Sequence, residues 1–358
     1  MRREEIIRVT FVAACALTLS LPLAAAEPVV LKPSPKTVAW GYYDASTPPV
    51  LRVKSGDVVE IHTLITSSPA RLEGAGLPPA DVEPALREIH KEVTNKGPGG
   101  HILTGPVYVE GAEPGDTLVI RIDKLTPARG YAVSVASPGF GALKGTDKTA
   151  MLGADLPETV WFYEVDRARG MARTRSQDGK QSWEVPLAPF LGCLGVAPAG
   201  GEVRSTVVPG DFGGNMDCPE VRAGNTVYLG VRVPGALVSF GDGHYAMGDG
   251  EIMGTAIEGA MDVELTVDLV KRRATPWPRI ENAEWMMSLG AARPLEDAAR
   301  IAFKDMVRWV QEKTGLGEMD AYELVSQNAR APIVEMVDPE YTVLVKIPKA
   351  RLPAPAPR

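Results

Sequence analysis

Apolar and polar residues alternate along much of the chain, which is the pattern of β-strands with one buried face. Residues 263–269 and residues 226–233 each carry an apolar side chain at every second position. Successive side chains of a strand point to opposite faces of a sheet, so each segment predicts a strand whose apolar face lies inward. The sequence therefore predicts a mainly β fold.

A glycine followed by Asp or Asn precedes three of the predicted strands. The pairs are Gly56-Asp57, Gly115-Asp116 and Gly224-Asn225. Glycine accepts a positive φ, and an Asx side chain hydrogen-bonds nearby backbone, so each pair predicts a tight turn that leads into a strand. The unequal separations favour recurrent turns within a sandwich over a solenoid repeat.

Three segments instead show the three- and four-residue spacing of amphipathic helices. The clearest covers residues 295–314, where apolar positions recur at helical spacing and Gly315 supplies a stop signal. Shorter helices are predicted over residues 319–328 and 81–94. None of the three carries an active-site pattern, so we expect them to support the core.

Composition and charge narrow the class of protein. The 358 residues are 45% hydrophobic and 23% charged, as in an ordinary globular protein, and the length allows one large domain or two closely packed ones. The formal net charge is −7, and no Lys/Arg-rich run follows the N-terminus. Nucleic acid and anionic membranes are therefore not expected as partners.

The N-terminus has the pattern of a secretory signal peptide. Arg2, Arg3 and Arg8 flank the start of an apolar stretch over residues 9–23, and the small residues 24–26 follow it. We expect cleavage after Ala26 and a periplasmic or secreted mature protein. A membrane anchor is disfavoured because the stretch is shorter than the ~20 residues of a span, and a lipid on Cys15 because the apolar region continues past it.

Two cysteines follow the predicted signal peptide, Cys193 and Cys218. In an oxidising compartment they could form a disulfide or stay as buried thiols, since pairing depends on a Cα separation that the sequence does not contain.

Histidines are scarce, and their sequence contexts differ. His90 lies within a predicted helix and is expected to face solvent, whereas His62 lies on a strand, where a surface position and a site role are both open. His101 follows the glycine loop of residues 97–100, and His244 lies in the segment SFGDGHYAMGDGE of residues 239–251. Turn chemistry explains the Gly-Asp pairs of that segment but gives no reason for His244 or Glu251.

A third glycine-rich cluster, FGGNMDCP, covers residues 212–219 and contains Asn215 and Asp217. The sequence contains no Gly-x-Ser-x-Gly, His-Glu-x-x-His, Cys-x-x-Cys or Walker motif. The density of acidic and histidine groups in these glycine-rich segments nevertheless favours an enzyme.

The clusters resemble those of the acetamidase/formamidase family of amidohydrolases. The motifs that carry the resemblance occur in the family's order: GPGGHILTGPVYVEGAEPGDTL at 97–118, PFLGCLGVAP at 189–198, FGGNMD at 212–217 and PGALVSFGDGHYAMGDGEIMGTAIE at 234–258. The helical region 295–328 is similar too, so the resemblance covers roughly residues 40–345. Two departures are the export signal and residues 327–330, QNAR, where an acidic residue is common in the family.

The resemblance implies a β-sandwich, jelly-roll-like core with an inserted α+β part and C-terminal helices. It divides the chain into a signal peptide over residues 1–26, the family domain over residues 27–345 and a Pro-rich tail over residues 346–358. It also implies hydrolysis of short amides to a carboxylic acid and ammonia, with a divalent metal ion, zinc by expectation. Related members act on a γ-lactam, and a homo-oligomer is left open.

Amide hydrolysis requires a nucleophile, a polarised carbonyl and a protonated leaving amine, and a divalent metal can provide the first two. Histidine and carboxylate ligands suit zinc. The candidate ligands are His101, Asp217 and His244, with Asp242 as a further ligand or as the partner that orients His244.

Three further residues are candidates for catalysis. Glu251 and Glu258 are the candidate general base and acid, and Asn215 could donate a hydrogen bond to the developing oxyanion.

Two alternatives remain at the level of sequence. Cys218 could act as a nucleophile activated by a histidine, or the protein could be an exported sandwich that binds a small ligand without turnover.

Overall fold

The computed structural model describes residues 28–143 and 157–354, so the predicted signal peptide lies outside the described residues. Within these residues, strands far outnumber helices, and the prediction of a mainly β fold is confirmed. The strands are β1 Val29–Leu31, β2 Val38–Trp40, β3 Tyr42–Asp44, β4 Leu51–Val53, β5 Val58–His62, β6 Ile102–Val109, β7 Thr117–Pro127, β8 Tyr131–Ala136, β9 Thr159–Asp166, β10 Met171–Arg175, β11 Ser182–Pro186, β12 Phe190–Gly195, β13 Val203–Ser205, β14 Pro209–Gly210, β15 Gly213–Asn215, β16 Thr226–Gly230, β17 Val238–His244, β18 Met261–Val270, β19 Arg279–Glu281, β20 Trp285–Ala292, β21 Ile333–Glu335 and β22 Tyr341–Pro348. The helices are α1 Pro69–Gly74, α2 Pro84–Glu92, α3 Leu295–Thr314 and α4 Glu318–Asn328.

Two large sheets form the centre of the molecule. One has the strand order β1-β5-β18-β7-β16-β19-β20-β22-β21, and the other has the order β14-β15-β12-β17-β6-β2, with β4 added to β6. Ile120 and Leu265 of the first sheet belong to the same buried cluster as Leu191 and Phe240 of the second. The main core therefore lies between the two sheets, as in a sandwich.

The three predicted turns all lead into strands of the nine-stranded sheet. Gly56 precedes β5, Gly115 precedes β7 and Gly224 precedes β16, with φ values of 92°, 97° and 87°. Only glycine adopts these conformations without strain, so the shared local pattern reflects a shared backbone requirement.

A smaller α+β layer packs beside the sandwich. The four-stranded sheet β11-β10-β9-β8 adjoins α1 and α2. Leu72 of α1, Leu86 and Ile89 of α2, and Val133 of β8 share a second buried cluster. The α1 helix had no counterpart in the sequence prediction because it is a single short segment with only Leu72 buried.

The C-terminal helices match the sequence predictions closely. Helix α3 spans the predicted residues 295–314 and ends where Gly315 adopts a φ of 78°, and α4 begins one residue before the predicted start. Helix α3 packs against β20 and β22, and α4 packs against α3 and β22, in a third buried cluster. Strand β22 continues to Pro348, three residues past the predicted domain boundary at 345.

The predicted 81–94 helix is shorter in the structure. It covers Pro84–Glu92, because Pro84 starts the helix and Val93 has extended backbone. No helix in residues 28–143 or 157–354 is both long and apolar enough to cross a membrane.

Candidate functional site

Strand β12 organises the candidate site because it pairs with β15 on one side and β17 on the other. Cys193 lies opposite Asn215 of β15, and Phe190 lies opposite His244 of β17. The two glycine-rich clusters at 212–219 and 239–251, far apart in the chain, are thereby brought to the same strand. Their polar side chains converge near Gly192.

The structure brings the four predicted ligand residues together. The Nε2 atom of His244 lies 3.2 Å from Oδ2 of Asp242 and 3.8 Å from Oδ1 of Asp217, and Nε2 of His101 lies 3.6 Å from Oδ1 of Asp242. His101 is 9% exposed and the other three are at most 2% exposed. Such burial is unusual for charged side chains unless they are paired or bind a cation.

His101 is held in one orientation by the chain around Thr206. Its Nδ1–H donates to the carbonyl oxygen of Thr206 at 2.9 Å, and its backbone N–H donates to the Thr206 hydroxyl at 3.3 Å. Because Nδ1 donates to this carbonyl, Nε2 is the ring nitrogen that faces Asp242 and that could bind a cation. Metal-binding histidines are commonly oriented by such a contact.

Both predicted acid–base residues reach the cluster. Oε1 of Glu258 lies 3.4 Å from Nε2 of His244 and accepts a hydrogen bond of 3.0 Å from the Ala256 N–H, while Oε2 has no hydrogen-bond partner among the described residues. Glu251 groups with Asp217 and His244, with one candidate ligand atom of each within 4.8 Å of the others.

The contacts of Asn215 favour a positioning role over an oxyanion role. Its Nδ2 donates to Oδ2 of Asp217 at 2.5 Å and to Oδ2 of Asp338 at 2.7 Å, and its Oδ1 accepts from the Cys193 thiol at 2.8 Å. Both amide hydrogens are therefore directed at carboxylates. In this arrangement Asn215 orients Asp217 and has no hydrogen left for a substrate oxygen.

The backbone is strained where the acidic residues enter the site. Asp217, Asp242 and Glu251 have φ values of 43°, 55° and 46°, a region that residues other than glycine rarely adopt. Strained backbone at the positions of buried polar side chains is typical of functional sites, where the surrounding structure holds it in place.

Burial and mutual repulsion raise the pKa of most carboxyls in the cluster. Burial first and then the charges of neighbouring carboxylates hold the pKa values of Asp217, Glu251 and Glu258 well above their usual range. For Asp242 burial acts in the same direction, but His101 and His244 outweigh it and hold its pKa far below the usual value. Asp242 therefore carries the charge that the two histidines face.

Sequence reasoning missed four residues that belong to this cluster. Oδ1 of Asp242 accepts from the Thr66 hydroxyl at 2.7 Å, and Cys193 lies within 4.8 Å of both His101 and Asp242. Asp338 contacts Asn215, and Oε2 of Glu335 accepts from the Asp338 N–H at 3.0 Å. Glu335 carried a signal, because it is a lone charge inside the apolar run of residues 333–337.

The site has the space and the free atoms that a cation requires. A Cβ built on Gly192 would lie in steric overlap with Oδ1 of Asp217, Oδ2 of Asp242 and Cε1 of His244, so the missing side chain leaves a small volume between these groups. Oδ1 of Asp217 and Oε2 of Glu258 are buried without a hydrogen-bond partner among the described residues. Carboxylate and imidazole donors around this volume fit a divalent metal.

The remaining histidines and the second cysteine lie outside this cluster. His62 pairs with Asp262 at 2.6 Å and with Glu60 at 3.0 Å. His90 is half-buried and packs edge-on against Trp40, so the expectation that it faces solvent was wrong. Cys218 is fully buried, and burial raises the pKa of its thiol to about 12. Cys193 and Cys218 are both free thiols in the structure.

The fold and site together define a β-sandwich protein with a buried histidine–carboxylate centre. The sequence model of the Acetamidase/Formamidase family matches residues 43–204 and 196–351. The chain belongs to this family, and the resemblance seen in the sequence motifs is confirmed.

Solved structures with similar folds extend over nearly the whole chain. An acetamidase from Yersinia enterocolitica is 36% identical with a TM-score of 0.76, and the match covers 92% of this chain and 95% of the other. An acetamidase from Bacillus halodurans is 29% identical with a TM-score of 0.72, covering 89% and 97%.

Relatives known by sequence match over a shorter stretch. The acetamidase of Mycolicibacterium smegmatis is 27% identical over an alignment 218 residues long, and the match covers 48% of this chain and 54% of that protein. The formamidase of Methylophilus methylotrophus is 29% identical over an alignment 216 residues long, and the match covers 48% of this chain and 52% of the other. The matched stretch spans about half the length of these two relatives.

Proposed function

We propose that this protein hydrolyses the carbon–nitrogen bond of a small linear amide, releasing a carboxylic acid and ammonia, with a divalent cation at the buried centre. The observation that carries the proposal is the convergence of Asp217, Asp242 and His244 on Gly192, with His101 joined to the cluster through Asp242. Support for the reaction class comes from the relatives, which are named acetamidase and formamidase.

The residues proposed to hold the cation are these same four, and zinc suits their imidazole and carboxylate atoms. A divalent cation there would polarise the amide carbonyl and lower the pKa of a water molecule towards neutrality. The protein's own part is to keep the ligand atoms in place. Thr206 orients His101, Thr66 holds Asp242 and Asn215 holds Asp217.

Glu258 and Glu251 are proposed to move the protons of the reaction. A carboxyl with a raised pKa keeps its proton near neutral pH and can give it to a leaving amine, which must be protonated before it departs. Burial and the charge of Asp242 raise the pKa of Glu258, and its Oε2 makes no hydrogen bond within the described residues. Glu258 therefore suits the general acid. The pKa of Glu251 is raised as well, so Glu251 would act as the general base only with a cation at the centre, whose charge favours the ionised carboxylate.

The structure disfavours a mechanism in which Cys218 is the nucleophile. Its thiol is completely buried, and a pKa of about 12 leaves almost no thiolate near neutral pH. It also belongs to none of the three groups of candidate ligand residues that contain the histidines. A nucleophilic thiol needs a nearby base such as a histidine, and the charges that act on the Cys218 thiol come from Glu220, Lys346 and Arg222 instead.

Two substitutions separate the metal and thiol mechanisms. His244→Ala removes an imidazole from the centre and is expected to lower bound metal and to reduce ammonia release at least about 100-fold, as for the loss of a group that stabilises developing charge. Cys218→Ser is expected to keep most of the activity. Metal content by elemental analysis and ammonia release are measured on the same samples, and circular dichroism checks the fold.

The opposite pattern would support the thiol mechanism, in which Cys218→Ser loses turnover while chelation leaves the wild type active. Formamide, acetamide, propionamide and a γ-lactam serve as the substrate panel. If the wild-type protein releases no ammonia from any of them, the assignment of these amides as substrates fails even though the fold holds.

We also propose that the mature protein is periplasmic or secreted and begins at Glu27. The support is the sequence of residues 1–26, with its arginines, apolar stretch and small-residue end. N-terminal sequencing of exported material tests this, and a lipid-modified protein beginning at Cys15 would contradict it.

A further inference from the structure

The segment of residues 333–338, which follows α4, reaches the candidate site. It comprises strand β21, at the edge of the nine-stranded sheet, and the turn after it. The Gly250 N–H donates to the Val334 carbonyl at 3.1 Å, and the Met336 N–H donates to the Gly250 carbonyl at 3.0 Å. These two bonds join the segment to the glycine-rich cluster that contains Glu251.

Glu335 and Arg293 fix the turn that carries Asp338. Oε2 of Glu335 accepts from the N–H groups of Val337 and Asp338, each at 3.0 Å. The Arg293 guanidinium donates to the carbonyl oxygen of Asp338. Because the backbone of Asp338 is held on both sides, its buried side chain has a fixed direction, and its Oδ2 lies 2.7 Å from Nδ2 of Asn215.

Asn215 has two acceptors for its two amide hydrogens. Oδ2 of Asp217 and Oδ2 of Asp338 lie 2.5 and 2.7 Å from its Nδ2. The χ2 torsion of an asparagine is broad, so a single acceptor leaves the amide free to turn, whereas two acceptors in different directions fix the amide plane. The Cys193 thiol donates to the amide oxygen at 2.8 Å, and this contact sets which end of the amide faces the carboxyls.

The bond from Asn215 also determines which oxygen of Asp217 is left for a cation. Asn215 holds Oδ2, and Oδ1 is buried without a hydrogen-bond partner among the described residues. Oδ1 is the atom that a Cβ on Gly192 would overlap, and it lies 3.8 Å from Nε2 of His244. A turn of the Asn215 amide would therefore release the candidate ligand atom from this direction.

We infer that Asp338 is a positioning residue of the candidate centre. It fixes the amide of Asn215, which in turn holds Oδ1 of Asp217 in the direction of Gly192 and His244. Asp338 is outside the three groups of candidate ligand residues found in the described part of the chain, so it acts through Asn215 and Asp217. The inference rests on the proposed function, which makes Asp217 a ligand of the cation.

The test measures zinc affinity by isothermal titration calorimetry. Asp338→Ala removes one acceptor of the Asn215 amide and is expected to weaken zinc binding by about 10- to 100-fold, as for other residues that orient a metal ligand. Asp338→Asn keeps an acceptor oxygen in a side chain of the same size, so its zinc affinity is expected to stay close to that of the wild type. Asp338→Leu fills the volume without accepting a hydrogen bond, and it replaces Asp338→Ala if that variant does not fold.

A double-mutant cycle with Asn215→Ala separates positioning from a general loss of structure. Without the Asn215 amide, Asp338→Ala is expected to have no further effect on zinc affinity, because the two residues act through one hydrogen bond. Asp116→Ala is the matched control. Asp116 is also a buried aspartate, 2% exposed, but it accepts from the N–H groups of Glu113 and Arg272 outside the centre, so this variant is expected to bind zinc like the wild type. Circular dichroism checks the fold of every variant.

Three results would overturn the inference: wild-type affinity in Asp338→Ala, an equal loss in Asp338→Asn, or a full further loss when Asp338→Ala is added to Asn215→Ala. Ammonia release, measured on the same samples, keeps the inference distinct from the reaction. A wild type that binds zinc and shows the expected differences but releases no ammonia contradicts the proposed reaction and supports the inference. A wild type that binds no zinc contradicts both.

Discussion

Gly192→Ala is the substitution that tests the candidate site most directly. Gly192 does not have a positive φ, so its backbone accepts alanine without conformational strain. The added methyl group, however, would overlap with Asp217 Oδ1, Asp242 Oδ2 and His244 Cε1. The methyl group would crowd the candidate ligand atoms, although no ligand residue is itself replaced.

The size of the effect follows from the rigidity of these neighbours. Asp217 and Asp242 are almost fully buried and have positive φ values, and His244 is fixed on β17 against Phe190, so none of the three can move away freely. Overpacking of a buried site costs about 1–3 kcal/mol. A cation present at about 1,000 times its dissociation constant stabilises the folded protein by about 4 kcal/mol, which the variant would also lose.

The assays are cation binding by isothermal titration calorimetry, thermal unfolding with and without zinc, and ammonia release. We expect Gly192→Ala to fold, to lose the zinc-dependent rise in melting temperature and to release ammonia at least about 100-fold more slowly than the wild type. Gly100→Ala is the control, because a Cβ at Gly100 meets no atom within 4 Å although the residue adjoins His101. Wild-type zinc affinity and turnover in Gly192→Ala would refute the reasoning.

Further predictions concern pH, the buried ion pair outside the site, and the thiol next to Gly192. The pKa values of Glu251 and Glu258 are raised, so above a pH of about 4 the cation-free folded protein binds more protons than the unfolded protein. The melting temperature of the cation-free protein should therefore fall as the pH rises from about 5 to 8. Zinc should stabilise the folded protein more at the higher pH, because its ligands must lose their protons. A melting temperature that instead rises over this range would contradict the assignment of buried, protonated carboxyls. Arg279→Ala should lower the free energy of unfolding in urea by about 3–5 kcal/mol, because it leaves Asp305 buried without the guanidinium that now contacts it at 2.8 and 2.9 Å. Cys193→Ser should keep the fold but alter zinc affinity in titration calorimetry, since a hydroxyl replaces the thiol that bonds Asn215, and an unchanged affinity would separate Cys193 from the centre.

Local periodicity was enough to predict much of the secondary structure. The alternating segment at 263–269 lies within β18, and the helix predicted over 295–314 has those bounds in the structure. These elements bury one face against a large core, so their buried apolar residues recur at a regular spacing along the sequence. The short helix α1 lacked such a pattern because only Leu72 of its six residues is buried.

The candidate site was predictable only in part, for a related physical reason. His244, Asp217 and Glu251 stood out because glycine-rich segments left their side-chain chemistry unexplained by turns. Asp338 did not, because a carboxylate after a short strand is usually exposed to solvent. Glu335 is a lone charge inside an apolar run, but that signal does not say which residues the charge contacts.

The sequence by itself determined the mainly β class, the C-terminal helices, the recurring Gly-Asx turns and, through its ordered motifs, the family. Tertiary structure alone decided that β12 pairs with both β15 and β17, which sets the cluster at 212–219 beside the cluster at 239–251. It also decided the role of Gly192, whose missing side chain matters only because Asp217, Asp242 and His244 converge on it. Periodicity records which face of an element is buried, whereas strand pairing between distant segments depends on contacts that no local stretch of sequence contains.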